Sequence, residues 1–230
     1  MKPILRVENV LFDCPEGVRI AFLSDLHFRK CSLKRVHRIV TVTVGAEPDL
    51  IILGGDYIES AGCLPLLRDF ASTLTKHAPV FAIAGNHDYR IGVLQIQSAL
   101  EEAGVRWVEK RTLDISCRNQ IIAIHGNHTV CHQESGRIPI LCAHNPRLFS
   151  QPGATDFVLG FAGHLHGCQA VFWERNGELY PGRWFYKWNG LRYDYENSSF
   201  LISRGLGDTL PFRFRCPHEI VLAQLVGQAT

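Results

Sequence analysis

Short unbroken apolar runs recur along the chain at residues 19–24 (RIAFLS), 50–54 (LIILG), 80–84 (VFAIA), 121–125 (IIAIH), 138–143 (IPILCA) and 157–162 (FVLGFA). Each is short and rich in β-branched or aromatic residues, which predicts strands, and a run without polar alternation such as LIIL predicts a strand covered on both faces. Between several of these runs the apolar period lengthens to that of a helix. In 32–46, Leu33, Val36, Ile39, Val40 and Val44 share one face behind Ser32 as N-cap, although the β-branched TVTV stretch counts against helix. Residues 65–77 repeat the pattern with Leu66, Leu67, Phe70 and Leu74, and 92–103 with Val93, Leu94, Ile96 and Leu100, stopping at Gly104. From Gln169 the chain changes to shorter strands and many aromatics: QAVFWE, a turn at Asn176-Gly177, SSFLIS and EIVLAQL. The expected fold class is therefore α/β, with one domain over 1–230 whose C-terminal part completes a second sheet.

Composition narrows the functional classes. With 46% hydrophobic residues and 20% charged, the 230-residue chain has material for a large core and is not disordered in bulk. Lys+Arg at 24 against Asp+Glu at 22 leaves +2, too little to call for a nucleic-acid partner. The 8 cysteines show no C-x-x-C spacing and are expected to be reduced, mostly buried thiols, which suits a cytoplasmic location. The N-terminus lacks a secretory pattern, and no stretch approaches the roughly 18 consecutive apolar residues of a membrane span.

The chemistry lies just past the apolar runs. Reading beyond them gives Asp25-Leu26-His27, Gly55-Asp56, Gly85-Asn86-His87-Asp88, Ala143-His144-Asn145 and Gly163-His164-Leu165-His166-Gly167. In open α/β sheets ligands bind beyond the carboxyl ends of strands, so these loops are expected to converge on one crevice. Two carboxylates, one amide oxygen and four imidazoles, without thiolate, suit borderline divalent ions such as manganese, iron or zinc. Seven ligands exceed what one catalytic zinc needs and fit two ions sharing a carboxylate, a clamp suited to hydrolysing a phosphate ester.

The ordered series D-x-H, G-D, G-N-H-D, H and G-H-x-H resembles the signature of the calcineurin-like metallophosphoesterase superfamily. The later stretches GCQAVFW, FLISRGLGD and FRFRCPHEIVLAQL resemble the YkuE/YaeI-like phosphoesterases, a group similar to the chlamydial-type UDP-2,3-diacylglucosamine pyrophosphatase. The resemblance implies a two-sheet αββα sandwich and a dinuclear hydrolase in which a metal-bridging hydroxide attacks phosphorus. Asp25, His27 and His166 would hold one ion, Asn86, His144 and His164 the other, and Asp56 would bridge them. His87 would act at the leaving oxygen, oriented by Asp88. The implied substrate is a phosphodiester or pyrophosphate such as a UDP-sugar lipid A precursor; the alternatives are a general phosphodiesterase or nuclease, and a non-catalytic scaffold. The subgroup commonly reads G-H-T-H-G-G, whereas Leu165 and Cys168 stand here, so Cys168 is expected to affect loop geometry or sensitivity to oxidation.

Other residues carry weaker signals. His37, His77 and His218 read as solvated or satisfied in the core. Gly126-Asn127-His128 is a second G-N-H, but Gly85-Asn86-His87 is preferred because it follows Gly55-Asp56 directly and carries Asp88; His125, His128 and His132 are then candidates to line a substrate loop. From Arg183 to Tyr195 (RWFYKWNGLRYDY) six aromatics mix with three basic residues, and PFRFR at 211–215 repeats the theme. These rings are either core packing or an amphipathic rim for a lipid-linked or small phosphodiester substrate, with peripheral membrane contact and no nucleic acid expected.

Overall fold

The computed structural model describes residues 2–12, 17–131, 136–195 and 197–227. Its strands and helices, in chain order, are β1 (Ile4–Leu11), β2 (Val18–Leu23), α1 (Leu33–Gly45), β3 (Leu50–Leu53), α2 (Leu64–Leu74), β4 (Val80–Ala82), α3 (Asn86–Ile91), α4 (Val93–Glu102), β5 (Arg106–Trp107), β6 (Thr112–Cys117), β7 (Gln120–Gly126), β8 (Arg137–Cys142), β9 (Leu159–Ala162), β10 (Trp173–Arg175), β11 (Glu178–Tyr180), β12 (Arg192–Tyr195), β13 (Ser198–Ile202) and β14 (Glu219–Val226). Two six-stranded sheets form, in the orders β1-β14-β2-β3-β4-β5 and β12-β13-β9-β8-β7-β6.

Strand alternation builds the layers. Along β2 and β3, Phe22 and Ile52 point into the space between the sheets, while Ala21, Leu23, Ile51 and Leu53 point to the helices. The inter-sheet layer is closed from the other side by Ile122, Ile124, Ile140 and Phe161, and Phe22 stacks on Phe161 at 5.0 Å. Burying each such ring contributes about 1.5–3 kcal/mol. Helices α1, α2 and α4 cover the first sheet through Ile39, Leu67, Phe70, Ile96 and Leu100. Over the outer face of the second sheet lie short 3-10 turns and Trp188, packed on Phe149 and Phe200.

Some expectations need correction. EIVLAQL does not complete the second sheet: as β14 it lies between β1 and β2 of the first, parallel to β1 and antiparallel to β2. The QAVFWE segment contributes only a short strand, paired with β11 in a separate hairpin; its turn at Asn176 and Gly177 has both φ values positive, as a type I′ turn needs. Ser32 stands before α1, yet its hydroxyl accepts from the Arg29 N–H and Arg35 Nη2 rather than capping the helix. The TVTV stretch is helical nonetheless, because Ile39 and Thr43 are buried in packing that outweighs a modest intrinsic penalty. Gly104, at φ +84°, ends α4 in the left-handed conformation.

Candidate metal centre

The parallel pairing of β2, β3 and β4 in register sets their ends side by side, and the chain keeps pairing past those ends: Asp25 N–H donates to the Gly55 carbonyl and His27 N–H to that of Asp56, both at 3.0 Å. In the second sheet β8 and β9 also run parallel, and Gly163 N–H bonds the His144 carbonyl at 3.0 Å. All five loops meet at one place.

Two groups of the expected ligands result, and a third group, His27, Glu59 and His87, also brings one donor atom each within 4.8 Å. Asp25, His27 and His166 place one donor atom each within 4.8 Å of one another, and so do Asp56, His144 and His164. Asp56 lies between them, its Oδ2 3.3 Å from His144 Nε2 and 3.8 Å from His27 Nε2. Asn86 Oδ1 is 3.0 Å from His144 Nε2, which adds the amide oxygen to the second group. The structure thus brings together all seven residues that the sequence singled out.

The backbone shows how much local cost is concentrated here. Asp25, His27, Asp56, His164 and His166 have φ between 42° and 72°, a left-handed conformation that side-chain-bearing residues rarely adopt. Two glycines leave the room that the ligands occupy. A Cβ at Gly85 would meet the Asp56 carboxylate, and one at Gly163 would meet Asp25 Oδ2 and Ser24 Oγ.

Three rings are held by the nitrogen that does not face the centre. His27 Nδ1 pairs with Glu59 Oε1 at 2.5 Å, His144 Nδ1 with the Gly54 carbonyl at 2.8 Å and His166 Nδ1 with the Gly207 carbonyl at 3.2 Å. Such contacts fix ring orientation and present Nε2 as a ligand. His27 Nε2 is buried and has no hydrogen-bond partner, a state that costs free energy unless a cation is there to accept its lone pair. Burial disfavours the charged form of His166 and, against the pull of Asp25, lowers its pKa to about 4, so the ring is neutral and ready to ligate. For Asp56, burial opposes ionisation, but His144 and the His87 N–H outweigh it and keep the carboxyl below the usual range. Burial works against a proton on His144 as well, yet Asp56 and Asp25 raise its pKa to about 9. The surrounding carboxylates thus call for positive charge, which divalent cations supply with release of that proton. The donor set and the orphaned nitrogen fit a pair of metal ions.

The role expected of Asp88 is not what its contacts show. Its carboxylate accepts backbone N–H bonds from Asp56 at 2.8 Å, Tyr57 at 3.0 Å and Gly85 at 2.8 Å, so it clasps the Asp56 loop to the start of α3. Among the described residues no hydrogen bond joins it to the His87 ring, because consecutive residues on a helix do not face each other. Burial raises the Asp88 pKa to about 6 against those bonds. His87 is held otherwise: its N–H donates to Asp56 Oδ1 at 2.8 Å and its ring packs edge-on against His27 at 4.9 Å.

The second G-N-H is a bracket. Asn127 Nδ2 donates to the Ala84 carbonyl and to Glu109 Oε2, and its Oδ1 accepts the His144 N–H at 2.8 Å, tying the β4 and β8 loops together. His125 and His128 share the Thr112 hydroxyl and do not line the crevice described below; His132 lies outside the described residues. His218 is satisfied by Asp208 at 2.9 Å, while His37 and His77 are exposed. Cys168 stands at φ +55°, where the glycine of the resembled pattern would fit without strain, and burial raises its thiol pKa to about 11, away from a reactive thiolate. Three contributors went unnoticed in the sequence. Glu59, three residues after Asp56, holds His27; Arg213 donates to the Gly207 carbonyl behind His166; and buried Gln169 bonds the 209–212 loop from both ends of its amide.

A sequence profile of the calcineurin-like phosphoesterase family matches residues 18–193. The chain belongs to that family. Among the relatives of this calcineurin-like phosphoesterase, phosphodiesterase YaeI of Escherichia coli is 27% identical, aligned over 90% of this chain and 82% of its own. The uncharacterized metallophosphoesterase YkoQ of Bacillus subtilis is 26% identical over 89% of this chain and 84% of its own, and one from Aquifex aeolicus is 24% identical over 97% and 93%. The protein is accordingly a metal-dependent phosphoester hydrolase, with a mixed α/β fold of two large sheets. No helix among its described residues is long and apolar enough to cross a membrane.

Proposed function

We propose that this phosphoesterase cleaves a small phosphodiester or pyrophosphate bearing an apolar group, of the kind represented by UDP-2,3-diacylglucosamine. Asp25, His27 and His166 would hold one divalent ion, Asn86, His144 and His164 a second, and Asp56 both; manganese, iron and zinc suit this donor set. The observation that carries this reading is the Asp56 carboxylate between the two ligand groups. Such an ion pair supplies an activated water and charge stabilisation on the phosphoryl oxygens. His87 stands at the crevice wall, held by Asp56 through its backbone and by His27 through its ring, and there it donates its ring proton to the departing oxygen.

The crevice supports a small reacting group. It measures about 380 Å³ and is lined by Asn86, His87, His164, Gln169, Thr209 and, at the rim, Tyr186 and Leu210. That volume takes phosphates and an adjoining sugar or base, so acyl chains would lie outside against Tyr186 and Leu210. Its described lining holds no Lys or Arg, which disfavours a nucleic-acid backbone and hence the nuclease alternative. Retention of every candidate ligand in one cluster disfavours a scaffold that has lost catalysis.

The test is manganese-supported hydrolysis of bis-p-nitrophenyl phosphate and of UDP-2,3-diacylglucosamine by the wild type and His87→Ala. Turnover of both, faster on the lipid-bearing pyrophosphate and lowered roughly 10²-fold by the substitution, is the expected result. Hydrolysis indifferent to His87→Ala would remove the assigned proton donor, and preference for the simple diester would remove the proposed substrate class.

A further inference from the structure

Six exposed aromatic residues fall in two segments that the fold sets side by side, 172–185 and 212–214. Phe172, Trp173, Trp184, Phe185, Phe212 and Phe214 are all exposed, Trp184 at 66% and Phe185 at 76%. Phe172 meets Phe214 at 5.6 Å between ring centroids, and Trp173 meets Trp184 at 5.5 Å. The backbone holds these segments alongside one another, with Val171 N–H on the Phe214 carbonyl and Phe172 N–H on that of Tyr180, both at 2.8 Å. Within the same stretch Trp188 turns inward and is buried on Phe149 and Phe200, which shows that the fold sorts these rings into core and surface. A group of exposed rings of this kind, on segments held side by side, marks an interaction site.

Its charge is one-sided. Between residues 172–187 and 209–215 the acids are Glu174 and Glu178, against Arg175, Arg183, Lys187 and Arg215 at the surface; the Arg213 side chain is buried on Asp208, and Arg183 pairs with Glu178 at 3.4 Å. Arg215 lies 5.5 Å over the Phe214 ring and donates to the Phe172 carbonyl, so a cation is set among the aromatics. Arg183 leaves the 3-10 turn Gly182–Trp184 beside Trp184. Aromatic rings with interspersed cations match a lipid interface, where rings enter the headgroup boundary and cations meet phosphates. A second copy of the chain is a poorer occupant, since an isologous contact would bring these cations together with two acids per partner to meet them.

We propose that this surface docks the protein onto an anionic phospholipid bilayer, with Trp184, Phe185 and Phe212 at the headgroup boundary and Arg175, Arg183, Lys187 and Arg215 against lipid phosphates. The docked face adjoins the crevice. Tyr186 and Leu210 at its rim are neighbours in sequence of Phe185 and of the Phe212 loop, and Gln169, three residues from His166, pins that loop. Docking therefore holds the crevice mouth at the membrane surface. It requires no particular substrate, so it stands apart from the proposed reaction.

The test is co-sedimentation of the full chain with vesicles of phosphatidylcholine alone and with phosphatidylglycerol added, comparing the wild type with the Trp184→Ser/Phe185→Ser double variant and with Phe212→Ser. The expected result is binding that rises with phosphatidylglycerol and falls with salt, and that drops about tenfold in the double variant. Because Trp184 and Phe185 are exposed and outside the crevice, thermal melting and bis-p-nitrophenyl phosphate turnover are expected to be unchanged. No sedimentation with either vesicle, or vesicle binding that both variants retain in full, would overturn the proposal. So would concentration-dependent dimerisation of the wild type that the double variant abolishes, which would assign the face to a second copy.

Discussion

In the half of the centre formed by Asp25, His27 and His166 all three side chains are buried, and both rings are braced from behind by Glu59 and by the Gly207 carbonyl. Asn86 and His164 of the other half are only partly buried and line the crevice, which the first half reaches through His166, and buried His144 is braced by the Gly54 carbonyl. The first half is thus held by contacts within the protein itself, and its buried His27 Nε2 has no hydrogen-bond partner among the described residues. The second half leaves room beside its ligands for the substrate. Pre-organisation of this kind favours retention of an ion, and openness favours its sharing with a phosphoryl oxygen.

Substitutions separate the two halves. The largest effect is expected from Asp56→Ala, which removes the carboxylate common to both: turnover of bis-p-nitrophenyl phosphate should fall by roughly 10³-fold or more, with metal content reduced. Next is Glu59→Gln, which leaves all seven candidate ligands in place but weakens the brace on His27. It should lower metal affinity by about 10–100-fold, read by competition with a chromophoric chelator, with little change in KM. An equal loss of affinity from a substitution at exposed Glu47 would show that Glu59 acts only through general charge.

The smallest effect concerns acid. Asp208 follows Gly207, and burial opposes its charge, but Arg213 and His218 outweigh burial and lower its pKa. A lowered folded pKa gives stability that is present above the usual carboxylate range and lost as pH falls through the folded value. Thermal melts of the metal-free protein should therefore show wild type above Asp208→Asn at neutral pH, the gap closing only below about pH 4.

Legibility in the sequence followed the range of the signal. The D-x-H, G-D, G-N-H-D and G-H-x-H motifs could be read because each pairs a ligand-bearing residue type with the end of an apolar run, and parallel strands bring such ends together. Helix α3 was missed because NHDYRI is six residues without an apolar face, and the pairing of Asp88 with His87 was an implication of the family resemblance rather than of any local pattern. Strand β1 was missed because Ile4, Leu5, Val7 and Leu11 are exposed at a sheet edge and its pairing partner, β14, lies at the far end of the chain. The brace at Glu59 and the clasp at Gln169 depend on contacts between loops, which no local pattern encodes.

The most direct measurement is metal content of the purified wild type and of Asp56→Ala, by elemental analysis after equilibration with manganese. About two ions per wild-type chain, with loss of ions and of chelator-sensitive hydrolysis in the variant, is the result predicted by a centre joined through Asp56. A wild type that takes up no stoichiometric ion and hydrolyses phosphodiesters equally well in the presence of a chelator would contradict it.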